Sequence, residues 1–375
     1  MSGAPPEAER LRRTPLHAEH AALGAKLVPF AGYEMPIQYP TGITAEHQAV
    51  RRAAGLFDVS HMGEVEVHGP DALRFVQHVT TNDASRLGVG QAQYSTLPRE
   101  DGTLLDDLLV YRLPEHYLLV VNGSNRERDV EWLRHHTSDF DVELRDRSDE
   151  IALLALQGPH AERILQRVTE DEIGSIRYYH FRQGQVAGLP ALISRTGYTG
   201  EDGFELYVAA KDAAPLWRAL LEEGAPDGLV PAGLGCRDSL RLEMGYALYG
   251  NDLDDGTTPL EAGLGWVTRL DKGHFVATDA LRRQKEQGAE RRLVGFRLRE
   301  RGFPRTGYPV LVNGERVGTV TSGVLSPSTG EGIGMAYVPV GASKPGTELE
   351  VEIRGRPVPA EVVRPPFYTG GSLRK

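Results

Sequence analysis

Leu104-Leu105-Asp106-Asp107-Leu108-Leu109-Val110-Tyr111 is an apolar, strand-forming stretch interrupted by two adjacent carboxylates. Pro114-Glu115-His116 follows as a turn signal, and residues 117–122 form a second apolar run. Two such runs joined by so short a turn read as a β-hairpin. Successive side chains of a strand alternate between its faces. Leu105, Asp107, Leu109 and Tyr111 are therefore expected on one face, and Leu104, Asp106, Leu108 and Val110 on the other. A carboxylate placed where burial is expected incurs a desolvation cost unless a donor or a cation meets it. Either both aspartates sit at a solvated strand mouth, or Asp107 alone enters a pocket beside a tyrosine.

Outward from this hairpin, further strands are expected over residues 63–68, 151–156, 185–194 and 204–208. Helical patterns cover residues 44–54, 70–79, 212–223 and 238–248, the last opened by an Asp238-Ser239 N-cap signal. Helices interleaved with short, hairpin-connected strands indicate an α+β fold rather than a parallel α/β sheet. Residues 282–292 are charged and read as a linker or an exposed helix end. Beyond them only strands are expected, over residues 293–298, 310–312, 316–320, 332–338 and 349–354. Asn313-Gly314 is the strongest hairpin signal in the chain. Residues 290–370 thus read as a separate small antiparallel β-domain, and residues 1–13, mixing Pro, Glu and Arg, as a flexible tail.

The formal net charge of −10, without a basic block, argues against nucleic acid or an anionic membrane as the main partner. No apolar run approaches the length of a membrane span. Cys236 is the only cysteine among 375 residues, which excludes an intramolecular disulfide and thiolate zinc clusters. A cytoplasmic protein is the simplest expectation.

Two further segments carry chemistry. Ser194-Arg195-Thr196-Gly197-Tyr198-Thr199-Gly200-Glu201-Asp202-Gly203-Phe204-Glu205-Leu206-Tyr207 is a glycine-rich polar loop running into a strand. It lacks the Gly-Lys-Ser/Thr ending of a phosphate loop and the strand-to-helix order of a dinucleotide fingerprint. Glu205 shares a strand face with Tyr207 and is a second candidate carboxylate. In Pro231-Ala232-Gly233-Leu234-Gly235-Cys236-Arg237-Asp238-Ser239-Leu240-Arg241-Leu242-Glu243, Arg237 falls at a helix start, where the dipole favours an anion. A cation there suits an anionic ligand that it and the helix end can share. Thr80-Thr81-Asn82-Asp83, followed by Gln91-Ala92-Gln93-Tyr94, is a polar turn leading to an aromatic.

Together with Phe30-Ala31-Gly32-Tyr33-Glu34-Met35-Pro36, Phe57-Asp58-Val59-Ser60-His61-Met62-Gly63-Glu64, Tyr249-Gly250 and Pro366-Phe367-Tyr368, these stretches closely resemble the aminomethyltransferase (T-protein) family of the glycine cleavage system. The resemblance runs in order from about Thr14 to the C-terminus, with Tyr33 where a tryptophan is more usual. It implies a three-domain, cloverleaf-like arrangement around a central folate channel. Two interleaved α+β domains would occupy residues 14–285, and an antiparallel β-barrel-like domain residues 290–370. It also implies transfer of a methylene carbon from an aminomethyl group on the lipoyl arm of H-protein to tetrahydrofolate, with release of ammonia. The lipoyl group belongs to the partner H-protein, and the P- and L-proteins act in the same system.

The residue carried over as catalytic is Asp107, in agreement with the face argument. Glu205 suits the adjacent N–H donors of a pterin. Tyr94, Tyr111, Tyr178, Tyr198 and Tyr246 offer flat faces or hydroxyls for the folate rings, and Asn122 joins the same binding set. Arg237, and Arg374 from the tail, are candidates for folate's carboxylates. No metal is required, and the histidines show no ligand spacing; His61 reads as a packed residue rather than a base. An alternative on the same scaffold is a non-catalytic folate-binding factor for iron-sulfur proteins. Such relatives carry a Lys-Gly-Cys-Tyr/Phe-x-Gly-Gln-Glu loop, whereas Arg195 to Asp202 has no cysteine. A second alternative on the scaffold is a folate-dependent demethylase acting on a small sulfonium. A folate domain of an amine oxidase would need a flavin domain, for which the chain lacks both length and a Gly-x-Gly-x-x-Gly motif.

Overall fold

The aspartate hairpin forms as expected. Strands Leu104–Arg112 and Tyr117–Val121 pair antiparallel, with Arg112 opposite Tyr117. In the computed structural model, which describes residues 11–374 apart from the side chain of Arg374, this hairpin lies inside a five-stranded sheet. The order is Gln91–Pro98, Leu104–Arg112, Tyr117–Val121, Gly63–His68, Glu143–Asp146. One face carries Val65, Val67, Leu108, Val110, Leu119 and Val121, and helices Ala72–Val79 and Arg126–His135 cover it with Phe75, Val76, Val130 and Leu133. Each such side chain contributes roughly 1.5–3 kcal/mol when removed from water.

A second sheet has the order Phe181–Val186, Leu189–Ser194, Gly203–Ala209, Ile151–Gln157, Ala54–Asp58, Leu229–Pro231. Only its last pair is parallel. Its outer face, with Leu154, Leu156, Phe204 and Leu206, packs on helices Ala161–Arg167 and Ala213–Gly224. The inner faces of the two sheets meet. Tyr111, Leu118 and Val120 from the first join Phe57, Leu153, Ala155 and Tyr207 from the second in one cluster. Any polar residue on an inner face is thereby aimed at the seam between the sheets.

The two sheets share an element order, and a diverged repeat in the sequence becomes legible once those elements are aligned. Gly69-Pro70, Ala72, Arg74, Gln77 and Thr80 recur as Gly158-Pro159, Ala161, Arg163, Gln166 and Thr169. Each copy runs strand, glycine turn, helix, 3-10 turn, strand, with the 3-10 turns at Ala84–Arg86 and Ile173–Ser175. Gly69 and Gly158 both have positive φ, and a Cβ on either would lie 2.4 Å from a backbone oxygen, that of Asp141 or Ala53. Only glycine fits there. The copies join where Gln91 bridges His180.

The C-terminal strands close into an antiparallel barrel in the order Arg291–Leu298, Gly332–Pro339, Glu315–Leu325, Pro309–Val312, Glu348–Ile353, Arg356–Val363. Asn313 (φ 53) and Gly314 (φ 78) form the expected two-residue turn, with Val312 opposite Glu315. Strand Arg356–Val363 was not anticipated, because Pro357 and Pro359 cannot donate to a ladder. Both prolines lie opposite Glu348–Ile353, and pairing with Arg291–Leu298 begins only at Ala360.

Several expectations need correction. The helix placed at residues 238–248 is Leu234–Met244, ended by Gly245 in the left-handed region. Asp238 does not cap it but pairs with Arg241 one turn on. Residues 185–194 are not one strand: Ala187 (φ 51) and Gly188 (φ 76) turn the chain between Phe181–Val186 and Leu189–Ser194. The register slips between Leu97, opposite Asp106, and Pro98, opposite Leu104, which leaves Leu105 as a bulge. Leu105 therefore packs with Leu108 and Val110, not on the Asp107 face. At the N-terminus, Arg12 bridges Tyr33 and ion-pairs with Asp149, so the described end of the expected tail is tied down. Residues 1–10 lie outside the described ones. Among the described residues no helix is long and apolar enough to cross a membrane.

Candidate functional site

The inner faces enclose a cavity of about 780 Å³. Asp107 enters it from the middle of its strand. The Tyr94 hydroxyl donates to Asp107 Oδ2 at 2.8 Å, and Asn122 Nδ2 donates to Oδ1 at 2.9 Å. Burial, and then the neighbouring Asp106 charge, push the Asp107 carboxyl up to about 7, against the pull of Tyr94 and Asn122. Asp106 projects away from the cavity and is fully buried. It accepts from the Asn122 backbone N–H at 2.9 Å, from Asn122 Nδ2 at 2.9 Å and from Asn125 Nδ2 at 2.6 Å. Neither aspartate is at a solvated strand mouth. The Asn122 amide is shared by both carboxylates, so Asn122 acts on the site through Asp107 as well as by lining the cavity.

Glu205 enters from the second sheet, on the same face as Tyr207, as the alternation of its strand requires. Thr196 Oγ1 donates to Glu205 Oε2 at 2.5 Å. Behind it Ser194 Oγ lies 2.9 Å from Thr196 Oγ1, the Tyr111 hydroxyl lies 3.2 Å from Ser194 Oγ, and Tyr207 donates to Tyr111 at 3.0 Å. Burial raises the Glu205 carboxyl. Tyr111 is fully buried in this hydroxyl cluster and does not line the cavity, which corrects its expected contact with a ligand. It faces the seam as its strand dictates, but Phe181 and Tyr207 pack over its ring.

Arg237 lines the cavity with its guanidinium 4.4 Å above the Tyr198 ring. Among the described residues no carboxylate pairs with it, and burial lowers its affinity for its proton. A buried cation without an anion is costly unless a ligand supplies one. Its backbone N–H bonds to Gly233 O, so the helix-start argument contributes less than the guanidinium. Tyr198 stacks on Tyr246 at 5.6 Å and donates to Ala247 O, and Tyr178 is hydrogen-bonded to Tyr246. These three tyrosines and Tyr94 all line the cavity. The side chain of Arg374 lies outside the described residues.

The family model described as the GCVT N-terminal domain matches residues 16–272, and the glycine cleavage T-protein C-terminal barrel domain matches residues 291–369. An aminomethyltransferase from Rubrobacter xylanophilus is 55% identical over 96% of this chain and 94% of its own length. One from Halothermothrix orenii is 50% identical over 95% of this chain and 100% of its own. The crystal structure of the glycine cleavage system aminomethyltransferase T from Bartonella henselae superposes with a TM-score of 0.91, at 36% identity, covering 96% of this chain and 99% of that one. The chain belongs to the glycine cleavage T-protein family.

Within this T-protein fold, two cavity features escaped the sequence reading. Trp266 stacks on Tyr94 at 6.0 Å and is 64% exposed, so it forms part of the rim together with the exposed Tyr178. Its one sequence signal is a tryptophan in a Gly-Leu-Gly-Trp turn, Gly263 to Trp266. Thr196, the donor to Glu205, was visible only as a loop residue. His61 is packed away from the cavity, edge-on to Phe30 at 5.4 Å, and burial pushes its imidazole down to about 4. The fold does bring three possible ligands together where the sequence showed no spacing: Glu66, His68 and His116. There His68 Nε2 lies 2.8 Å from Glu66 Oε2, and Arg147 pairs with the other oxygen at 3.1 Å, which already satisfies the carboxylate.

Proposed function

We propose that this T-protein family member is a tetrahydrofolate-dependent aminomethyltransferase of glycine cleavage. Its substrate is the aminomethyl group on the dihydrolipoyl arm of H-protein, and its products are ammonia, 5,10-methylenetetrahydrofolate and dihydrolipoyl H-protein. The observation that carries this reading is the Asp107 carboxyl, set near 7 and held by Tyr94 and Asn122 in a cavity shared with Glu205 and Arg237. A volume of about 780 Å³ suits a ligand of folate size, within the roughly 300–1,000 Å³ of small-molecule sites.

The reaction breaks the carbon's bonds to sulfur and to nitrogen and forms bonds to folate nitrogens 5 and 10. The two protons lost from those nitrogens end on the lipoyl sulfur and on the departing amine. The site must therefore align three partners around one carbon and carry protons between them. Asp107 near nitrogen 10 stabilises the iminium-like cation as ammonia leaves, and with a carboxyl near neutrality it can also accept and return a proton. Glu205 accepts the pterin's adjacent N–H donors, the tyrosines stack on the rings, and Arg237 meets a folate carboxylate. The lipoyl arm reaches the carbon past the rim formed by Trp266 and Tyr178.

The deciding experiment supplies aminomethylated H-protein with and without tetrahydrofolate and measures ammonia and methylene-folate together. Ammonia release that depends on tetrahydrofolate, in equal amounts with the folate product, is expected. Folate binding without turnover would instead support the assembly-factor reading. Methyl transfer from a small sulfonium, with aminomethylated H-protein inert, would support a demethylase.

A further inference from the structure

Behind Asp107 lies a second carboxyl layer for which the reaction as described has no use. Asp129, on helix Arg126–His135, is fully buried. Among the described residues no N–H or O–H donates to either of its oxygens. The side chain it meets in hydrogen-bonding contact is another carboxyl, Asp106. Two carboxylates cannot hydrogen-bond unless one of them keeps its proton. Three amide N–H bonds converge on Asp106 and favour its anionic form, whereas none of the described residues donates to Asp129. The proton therefore belongs on Asp129.

We propose that Asp129 and Asp106 share one buried proton, held on Asp129, and that this pair sets the charge and orientation of Asp107 through the Asn122 amide. Asn122 Nδ2 spans the layers, 2.9 Å from Asp106 Oδ1 and 2.9 Å from Asp107 Oδ1. The pair leaves one negative charge beside Asp107 rather than two. With one, Asp107 is raised into the range where it can exchange protons; with a second, it would stay protonated and could not stabilise a cation. The charged groups facing Asp129 are Asp106 and Asp107 from the strand and Arg128 from its own helix. The terminal nitrogens of Arg128 donate to Leu105 O, to Tyr249 at 3.0 Å and to Asp255 at 2.9 Å, and its buried Nε makes no hydrogen bond to either Asp129 oxygen. Asp106 and Asp129 are positioning residues. Their effect on turnover rests on the role proposed for Asp107, but the shared proton does not.

The test is carboxyl-carbon NMR on the full chain labelled at aspartate, titrated from about pH 5 to about pH 8, on the wild type, Asp129→Asn and Asp106→Asn. In the wild type one aspartyl carboxyl should remain protonated across the range. Asp129→Asn should abolish that signal while leaving the Asp107 titration in place, because the amide still donates to Asp106. Asp106→Asn should move the Asp107 midpoint down by about one unit or more, since a like charge has been removed. The acid limb of turnover should move with it. A protonated carboxyl that persists in Asp129→Asn, or an Asp107 midpoint indifferent to Asp106→Asn, would overturn the proposal. Should Asp106→Asn fail to fold, the Asp129→Asn spectrum still decides where the proton is. The spectra require neither folate nor H-protein, so a failed transferase assay with the expected spectra would count against the functional reading alone.

Discussion

The Tyr94 hydroxyl donates to Asp107 Oδ2 at 2.8 Å across the paired strands that carry them. This bond favours the charged carboxylate, while burial and Asp106 oppose it. Asp107→Asn removes the charge but keeps the shape. Turnover should fall roughly a hundredfold or more, about 3 kcal/mol in barrier, with folate binding largely retained. Steady-state rates on aminomethylated H-protein, beside folate binding by calorimetry, check this. Equal loss of both would make Asp107 a binding residue only.

The same substitution should stabilise the empty protein. A folded Asp107 near 7 lies above its unfolded value of 3.8, so the native state holds the proton more tightly. The stability this contributes is complete below the unfolded value and is lost as pH rises through about 7. Asp107→Asn should therefore melt above the wild type at about pH 8, with a gap that closes on acidification. A constant gap, or one of the opposite sign, would mean that Asp107 is charged throughout.

Tyr94→Phe deletes the donor and should move the acid limb of turnover to higher pH, because the charged form of Asp107 loses a hydrogen bond. The pH dependence of kcat reads this directly. An unmoved limb would assign the limb to another group.

How much of this site could be read from the sequence follows strand geometry. Asp107 and Glu205 fall on the expected faces because alternation in a strand is local, and the helix expected over residues 70–79 from its apolar spacing forms as Ala72–Val79. The Leu105 bulge was invisible, since a bulge depends on the partner strand's register rather than on the strand's own residues. Tyr111 was assigned to the ligand because its face was right; its depth is set by Phe181 and Tyr207, far away in the chain. Asp129 is one charge among many in Arg126–His135, a helix whose buried apolar residues are Val130 and Leu133, so nothing local to it marks the carboxyl as buried.

Glu205→Gln should raise KM for tetrahydrofolate with little change in kcat. A carboxylate that recognises the pterin equally before and during reaction contributes uniform binding. Thr196→Val, which removes the donor to Glu205, should act in the same direction and more weakly. A loss of kcat at saturating folate would place Glu205 in the chemistry instead.

The last prediction concerns the joint between barrel and sheets. Arg51 is buried and pairs with Glu201 of the glycine-rich loop at 2.8 Å and with Glu243 of helix Leu234–Met244 at 2.8 Å. Glu243 also accepts from Ser326 and Ser328 of the barrel segment, and Glu201 from Ser372. Burial by itself would raise the Glu243 carboxyl, but His47 and Arg51 outweigh it and hold it at about 2. Its contribution to stability is therefore present above the unfolded value of 4.5 and is lost as pH falls toward about 2. Arg51→Met leaves buried Glu201 without its cation and Glu243 with His47 alone, and should cost roughly 3–5 kcal/mol, whereas Arg299→Met, which breaks an exposed pair with Glu348, should cost about 0–1 kcal/mol. Denaturant melts at about pH 7 distinguish the two, and the Arg51→Met deficit should shrink on acidification as the stranded carboxylates take up protons. A mild Arg51→Met would mean that the serines hold the barrel to the sheets without the ion pair.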